Sequence, residues 1–185
     1  MLKWLMHRGV AAFERQWQYD AIYLHDLIET DPRAAWAFQR ATALGRYRRA
    51  LPADALAAAA LTAVRMEDCG PCTQLGVAMA EKSGVDAAVL RAVLTGDVAA
   101  MPDHVALVWR FTRATLEHDA SADPHRDEIE RRWGRQAVVS LAFAILTSRM
   151  YPTVKYALGH GKACTRVVVG GTPIAFAPAV AAAHR

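Results

Sequence analysis

Hydrophobic residues recur at helical intervals from near the start of the chain. Over residues 2–28 the large apolar positions fall at spacings close to three, four and seven: Leu5, Met6, Phe13, Trp17, Leu24, Leu27 and Ile28. This period predicts an amphipathic helix. Asp31 and Pro32 then supply an N-capping side chain and a proline at the first helical position. A second helix is therefore expected from this point to about Arg49.

The middle of the chain predicts three more helices. An alanine-rich helix is expected to start at Pro52 and end near Met66, because alanine has the highest helix propensity. The next helix follows a pair of cysteines and is expected to stop at Gly84, a residue suited to the C-terminal end of a helix. A short helix then begins at Asp86 and ends at Gly96.

The second half of the chain continues the helical pattern. One helix is expected within MPDHVALVWRFTRATLEHD, and the longest helical stretch follows, with a break or bend at Gly134 and Pro152. Two short β-prone runs around Gly170 and Gly171 give a weak hairpin signal, and APAVAAAHR after them is interpreted as a loose end.

Strands and helices do not alternate, which excludes a parallel α/β sheet. The pattern predicts an all-α, single-domain helical bundle over residues 1–185. Its core spans about residues 51–159, and its tail, residues 165–185, could form a short hairpin.

Composition narrows the class of protein. The 185 residues are 54% hydrophobic and 22% charged, as in a folded globular chain. The net charge of +4 comes without a nucleic-acid-binding motif, so the arginines are interpreted as solvated helix faces and no nucleic-acid partner is expected. The start of the chain lacks a signal-peptide pattern, and no window approaches about 18 uncharged apolar residues. These features predict a cytoplasmic protein without a membrane span.

The sequence Cys69-Gly70-Pro71-Cys72 carries the clearest chemical signal. The Cys-x-x-Cys spacing brings two sulfurs together across one helical turn, and a cysteine at a helix N-terminus has a lowered pKa. Thioredoxin-like proteins place this motif after a strand, but here an alanine-rich helix precedes it. A structural zinc site needs about four ligands, and the pair supplies two. No metal or cofactor is expected.

The order of helices around the pair resembles the carboxymuconolactone decarboxylase / alkylhydroperoxidase D-like superfamily. A helix leads to Cys-x-x-Cys, the next helix carries AEKSGVDAAVLRAV, and a later long helix carries LAFAILTSRMYPTVKYALG. The resemblance covers roughly Leu51 to Gly159. It implies an all-α, usually oligomeric protein whose Cys69 and Cys72 act as a dithiol/disulfide couple in peroxide reduction. Decarboxylase members of the family act on a lactone and lack the cysteine pair.

Two departures from the family pattern concern proton transfer. Redox-active members carry a histidine four residues after the second cysteine, where this chain has Gly76, and a glutamate one helix upstream, near Ala57. Glu67 is the candidate substitute, because a carboxylate within reach of a thiol can take its proton. A carboxylate there would also disfavour the thiolate, so its net effect stays open. Asp68 is interpreted as a helix N-cap.

His160 and Cys164 are further candidates near the end of the helical region. His160 could supply the missing imidazole, and Cys164 could resolve a mixed disulfide with the pair. The favoured interpretation of Cys164 is a small buried apolar residue.

The leading hypothesis is a thiol–disulfide oxidoreductase that reduces a peroxide or a disulfide. Cys69 and Cys72 would be its catalytic residues, with Glu67 assisting, and an external protein or small-molecule thiol would restore the dithiol. Helix-end geometry favours Cys69 as the attacking sulfur, whereas the family resemblance favours Cys72.

The alternative is a catalytically degenerate family member that serves as a structural or redox-sensing oligomer. Lactone decarboxylation is disfavoured because it would leave the cysteine pair without a role. A homo-oligomer is expected from the resemblance.

Overall fold

Helices make up most of residues 1–176, the part of the chain that this computed structural model describes. The α-helices in that part are α1 Leu2–Trp17, α2 Ile22–Thr30, α3 Pro32–Thr42, α4 Ala53–Met66, α5 Gly70–Lys82, α6 Ala87–Thr95, α7 Asp103–Glu117, α8 Ala122–Trp133 and α9 Arg135–Ala157. Short 3₁₀ turns lie at Ala43–Arg46 and Val98–Ala100, and strands β1 Arg166–Val169 and β2 Thr172–Ala175 follow α9. The prediction of a helical protein is confirmed, and the expected loose end at residues 177–185 lies outside the described residues.

The alanine-rich helix α4 lies at the centre of the fold. It packs against α5, α6, α7 and α9. Its small side chains let these neighbours approach closely, and its buried residues are Ala55, Ala58, Ala59, Leu61, Thr62, Ala63 and Val64. The sequence predicted this helix with the correct end at Met66.

The N-terminal region differs from the single long helix predicted through Ile28. The chain leaves α1 at Gln18, whose φ of 49° is left-handed, and resumes a helix only at Ile22. The turn and the start of α2 bury Tyr19, Ala21 and Tyr23 in one small cluster. The helix that follows Pro32 also stops earlier than predicted, at Thr42.

The long helix α9 begins directly after Gly134, which has a φ of 79° and separates it from α8. This break was predicted, whereas α9 continues through Pro152 to Ala157. Contrary to the expectation about apolar windows, α9 is long and apolar enough, by length and composition, to cross a membrane. One such helix is weak evidence, since core helices pass the same test. Helix α9 packs on α4 and α8.

The predicted hairpin is confirmed. Strands β1 and β2 pair antiparallel, with Val169 opposite Thr172. Gly170 and Gly171 form the two-residue turn, and both have positive φ, which this turn requires. The hairpin is attached to α5 by the Gln74 side chain, whose amide donates to the Val168 carbonyl at 3.0 Å and accepts from the Val168 N–H at 2.8 Å.

Candidate functional site

The cysteine pair lies at the N-terminus of α5, where the chain turns sharply out of α4. Cys69 is the N-cap residue, and Gly70 and Pro71 open the first turn. Asp68, expected as the N-cap, instead precedes the cap with a φ of 52°, a left-handed conformation that Asp tolerates better than most residues. The turn therefore places both sulfurs at the positive end of the α5 dipole.

The two thiols are buried and interact as a pair. Cys69 is 0% exposed and Cys72 is 7% exposed. Hydrogen bonding from the Cys72 thiol lowers the pKa of Cys69 to about 7, assisted by the Cys72 amide and opposed by burial. The same hydrogen bond, together with burial, raises the pKa of Cys72 well above its usual range. Cys69 is thus the sulfur that ionises, and Cys72 keeps its proton and donates it toward Cys69.

A tyrosine outside the bundle core contacts the second cysteine. Tyr19 lies in the turn between α1 and α2, and its Oη is 3.7 Å from Cys72 Sγ. Burial, followed by the neighbouring Tyr23 and Cys72, raises the pKa of Tyr19 well above its usual range. Tyr19 therefore stays a neutral phenol with a hydrogen to donate.

A buried lysine stands behind this tyrosine. Lys155 on α9 is 2% exposed, and its Nζ donates to Tyr19 Oη at 3.2 Å. The ammonium also lies over the rings of Tyr19 and Tyr23, 4.8 and 5.2 Å from their centroids. The positive charge of Lys155 favours the thiolate of both cysteines. It adds to the lowering of the pKa of Cys69 and opposes the rise of the pKa of Cys72. It is the cation that acts most directly on the pair.

The segment after α9, residues 159–164, covers the start of α5. The Gly70 N–H donates to the Lys162 carbonyl at 3.0 Å, and Cys69 forms a β-bridge with Ala163. A side chain at position 70 would have its Cβ 2.8 Å from the Ala163 carbonyl oxygen, so glycine is needed there. We call residues 159–164 the covering segment.

The third cysteine belongs to the covering segment and is fully buried. Its N–H donates to Asp68 Oδ1 at 3.1 Å, and burial raises the pKa of the Cys164 thiol. A buried thiol with a raised pKa is unreactive. These features fit the interpretation of Cys164 as a small packed residue.

Two of the proton-transfer candidates have other partners. The Glu67 carboxylate forms an ion pair with Arg149. The imidazole Nε2 of His160 lies 3.3 Å from Asp26 Oδ2. Within residues 1–176, neither side chain hydrogen-bonds to Cys69 or Cys72, whereas Tyr19 does.

Position 76 has no room for the histidine that the family pattern would place there. A Cβ at Gly76 would lie 2.9 Å from Leu61 Cδ2, and Leu61 is fully buried in α4. Any side chain at this position would require Leu61 to move.

Sequence reasoning missed Lys155 and gave Tyr19 no part in proton transfer. A signal for Lys155 was present, because it continues the helical spacing of four, seven and three residues along one buried face of α9 that starts with Leu141, Ile145 and Pro152. A lysine on the buried stripe of a helix is a functional-site indication.

The surroundings of the pair set limits on other chemistry. Within residues 1–176, no group of three or more His, Cys, Asp or Glu side chains is arranged to hold a metal ion. A cavity of about 300 Å³ opens beside Asp68, between Arg65, Trp109 and Arg113, but neither cysteine of the pair lines it. The site is a buried dithiol with a hydroxyl and a cation.

Comparison with known proteins adds nothing to this geometry. No family model, curated protein or solved structure matches the chain.

Proposed function

We propose that this protein is a thiol–disulfide oxidoreductase of the alkylhydroperoxidase D-like type, with Cys69 and Cys72 as its redox couple. The observation that carries the proposal is the interacting pair of thiols on the first turn of α5, next to a buried ammonium. One thiol is poised to ionise near neutral pH, which redox-active cysteines require.

The reaction with a hydroperoxide proceeds in two steps. The thiolate of the pair attacks the terminal peroxide oxygen, the O–O bond breaks, and the alkoxide leaves and takes a proton to become an alcohol. The attacking cysteine is then a sulfenic acid. The second cysteine attacks that sulfur and closes the Cys69–Cys72 disulfide, and the hydroxyl leaves as water with the proton of the second thiol. Two equivalents of an external thiol then restore the dithiol.

The mostly helical architecture supports the resemblance to this superfamily. The cysteine pair follows a helix, and a long helix later in the chain returns to it through Lys155. The family's histidine and upstream glutamate are absent from this chain, so the proton chemistry differs from the family pattern.

The burial of the pair favours a second candidate, a redox-sensing protein that forms the same disulfide without turnover. Cys69 has no exposed surface and Cys72 very little. Such thiols meet oxidants slowly unless the covering segment moves. The chemistry of the disulfide is common to both functions, and the rate of turnover separates them.

The test is peroxide consumption by the purified protein with a dithiol as electron donor, using hydrogen peroxide and an organic hydroperoxide. We expect turnover, its loss in Cys69→Ser and Cys72→Ser, and its retention in Cys164→Ser, a matched replacement of a buried cysteine outside the pair. Stoichiometric disulfide formation without turnover would support the sensor. Two thiols that remain reduced under excess oxidant would contradict both functions.

We also propose that the protein is a homo-oligomer, as the resemblance implies. Large apolar side chains are exposed on α9, including Val139, Leu146 and Tyr156, and such surface is a common component of subunit interfaces. Light scattering of the full chain measures the assembly, and a monomer at high concentration would contradict this proposal.

A further inference from the structure

We infer that Lys155 and Tyr19 form a hydrogen-bonded arm that stabilises negative charge on the cysteine pair. The arm would take the role of the family's histidine, whose position in this chain is Gly76. The inference rests on the proposed function of the pair and adds the residues that would tune it. Tyr19 touches a reacting atom, Cys72 Sγ, and Lys155 acts through Tyr19 as a positioning residue.

The direction of the hydrogen bonds follows from the chemistry of the groups. An ammonium has donors and no acceptor, so Lys155 must donate to Tyr19 Oη. The phenol keeps its own hydrogen, because burial raises its pKa, and Cys72 Sγ is within reach of it at 3.7 Å. Cys72 in turn donates toward Cys69. The result is one directed chain from the cation to the sulfur that ionises.

The position of Lys155 is costly for a residue without a function. It is 2% exposed, and among the described residues it forms no ion pair with a carboxylate. A buried charge is unfavourable unless an opposite charge or good hydrogen bonds compensate it, and an apolar side chain of similar size would avoid that cost. Asp20 attracts Lys155 but is hydrogen-bonded to Lys162, so the anion within the arm that would compensate Lys155 is the thiolate of the pair.

The arm stabilises negative charge on Cys72 whether Cys69 or Cys72 is the cysteine that attacks the peroxide. If Cys69 attacks first, Cys72 becomes negatively charged when it attacks the sulfenic acid and loses its proton to the departing water. If Cys72 attacks first, it carries the charge from the start. In both cases the Tyr19 O–H is the donor from outside the pair that reaches Cys72 Sγ. A donor aimed at developing charge in a water-poor site is an effective form of stabilisation.

The arm also biases the redox equilibrium. The reduced pair carries a negative charge above the pKa of Cys69, about 7, and the disulfide carries none. Lys155 therefore stabilises the reduced form and makes the disulfide a stronger oxidant. This bias is present above about pH 7 and fades below it, because protonation of Cys69 removes the charge that Lys155 stabilises. A purely structural role of Lys155 would show no such pH dependence.

The experiment uses the full chain and two conservative variants, Lys155→Met and Tyr19→Phe. The matched controls are Lys3→Met, an exposed lysine paired with Glu29, and Tyr47→Phe, a phenol that packs against Phe143 instead of the arm. The first measurement is the ultraviolet absorbance of the thiolate against pH, with the Cys164→Ser background removing the third thiol. The second is the equilibrium of the pair with glutathione at about pH 8 and about pH 6.

We expect Lys155→Met to raise the pKa of Cys69 by about one unit, about a fivefold loss of thiolate at neutral pH. At about pH 8 its disulfide should be favoured about fivefold over that of the wild type, which corresponds to about 20 mV, with little difference at about pH 6. Tyr19→Phe should act in the same direction by about threefold, since it removes one hydrogen bond and leaves the ammonium. Both controls should match the wild type.

The outcomes separate the inference from the proposed function. A wild-type pair that cycles while Lys155→Met and Tyr19→Phe behave like the controls overturns the arm and leaves the function standing. A shift of equal size at both pH values overturns the arm as well, because it indicates a structural effect. A wild-type pair that never forms a disulfide defeats the proposed function, and the thiolate titration, which needs no turnover, still tests the arm.

Discussion

The described part of the chain, residues 1–176, contains two buried clusters of very different character. The larger one joins α4 to α9 and the hairpin, and nearly all its buried side chains are apolar. The smaller one consists of Tyr19, Ala21 and Tyr23, with half-buried side chains around it, and α1 beside it has no fully buried residue. The dithiol belongs to the first cluster, and Tyr19 belongs to the second. Apolar packing thus fixes the position of the sulfurs, while the hydroxyl that acts on them comes from a less tightly packed region.

The same substitution in the two clusters should separate their contributions to stability. Leu141→Ala removes a fully buried side chain on α9 and should lower the free energy of unfolding by about 3 kcal/mol. Leu24→Ala removes a half-buried side chain beside the small cluster and should cost about 1 kcal/mol. Urea unfolding measures both. Equal costs would mean that the small cluster contributes as much to stability as the core does.

The pH dependence of the thiols should sharpen the contrast between the dithiol, which contacts the small cluster through Tyr19, and Cys164, which lies elsewhere in the larger cluster. Cys69, with a pKa of about 7, gains thiolate as the pH rises through 7, whereas Cys164 in the interior has a raised pKa. At neutral pH, Cys69 should carry about 15 times the thiolate fraction of a free cysteine with a pKa of about 8.5. The thiolate titration should lose its transition near pH 7 in Cys69→Ser and keep it in Cys164→Ser. A first transition above about pH 8 in the wild type would contradict the lowered pKa.

The smallest effect is expected at Glu67, the carboxylate that sequence reasoning placed in the site. Because Glu67 pairs with Arg149 on a partly exposed surface, Glu67→Gln should change stability by at most about 0.5 kcal/mol. It should also leave the pKa of Cys69 unchanged within about 0.3 units. Arg149→Gln is the matched control, since it breaks the same ion pair from the other side. A peroxide turnover lost in Glu67→Gln and retained in the control would restore the proton-transfer role of Glu67.

Most of the helices could be predicted from the sequence, because local signals determine them. Asp31 and Pro32 begin α3, Gly96 ends α6, and Gly134 separates α8 from α9. The break at Gln18 could not be predicted, because no proline or glycine marks it and the burial of Tyr19 and Tyr23 against distant helices produces it.

The candidate site likewise combines features that local sequence determines with features that depend on contacts between distant residues. Spacing alone brought Cys69 and Cys72 together on one helical turn. The contact between Lys155 and Tyr19 joins residues 136 positions apart, so no local pattern could reveal it. Glu67 is adjacent to the pair in sequence, yet its recorded partner is Arg149 on α9.

The covering segment has a consequence for what the protein can exchange electrons with. Because the backbone from Lys162 to Cys164 lies directly over Gly70, it leaves no groove in which another polypeptide could lie along the Cys-x-x-Cys turn. If the pair has the proposed function, we expect it to react faster with a small peroxide or a slender thiol than with the disulfides of folded proteins, because Cys69 is not exposed and Cys72 is only 7% exposed.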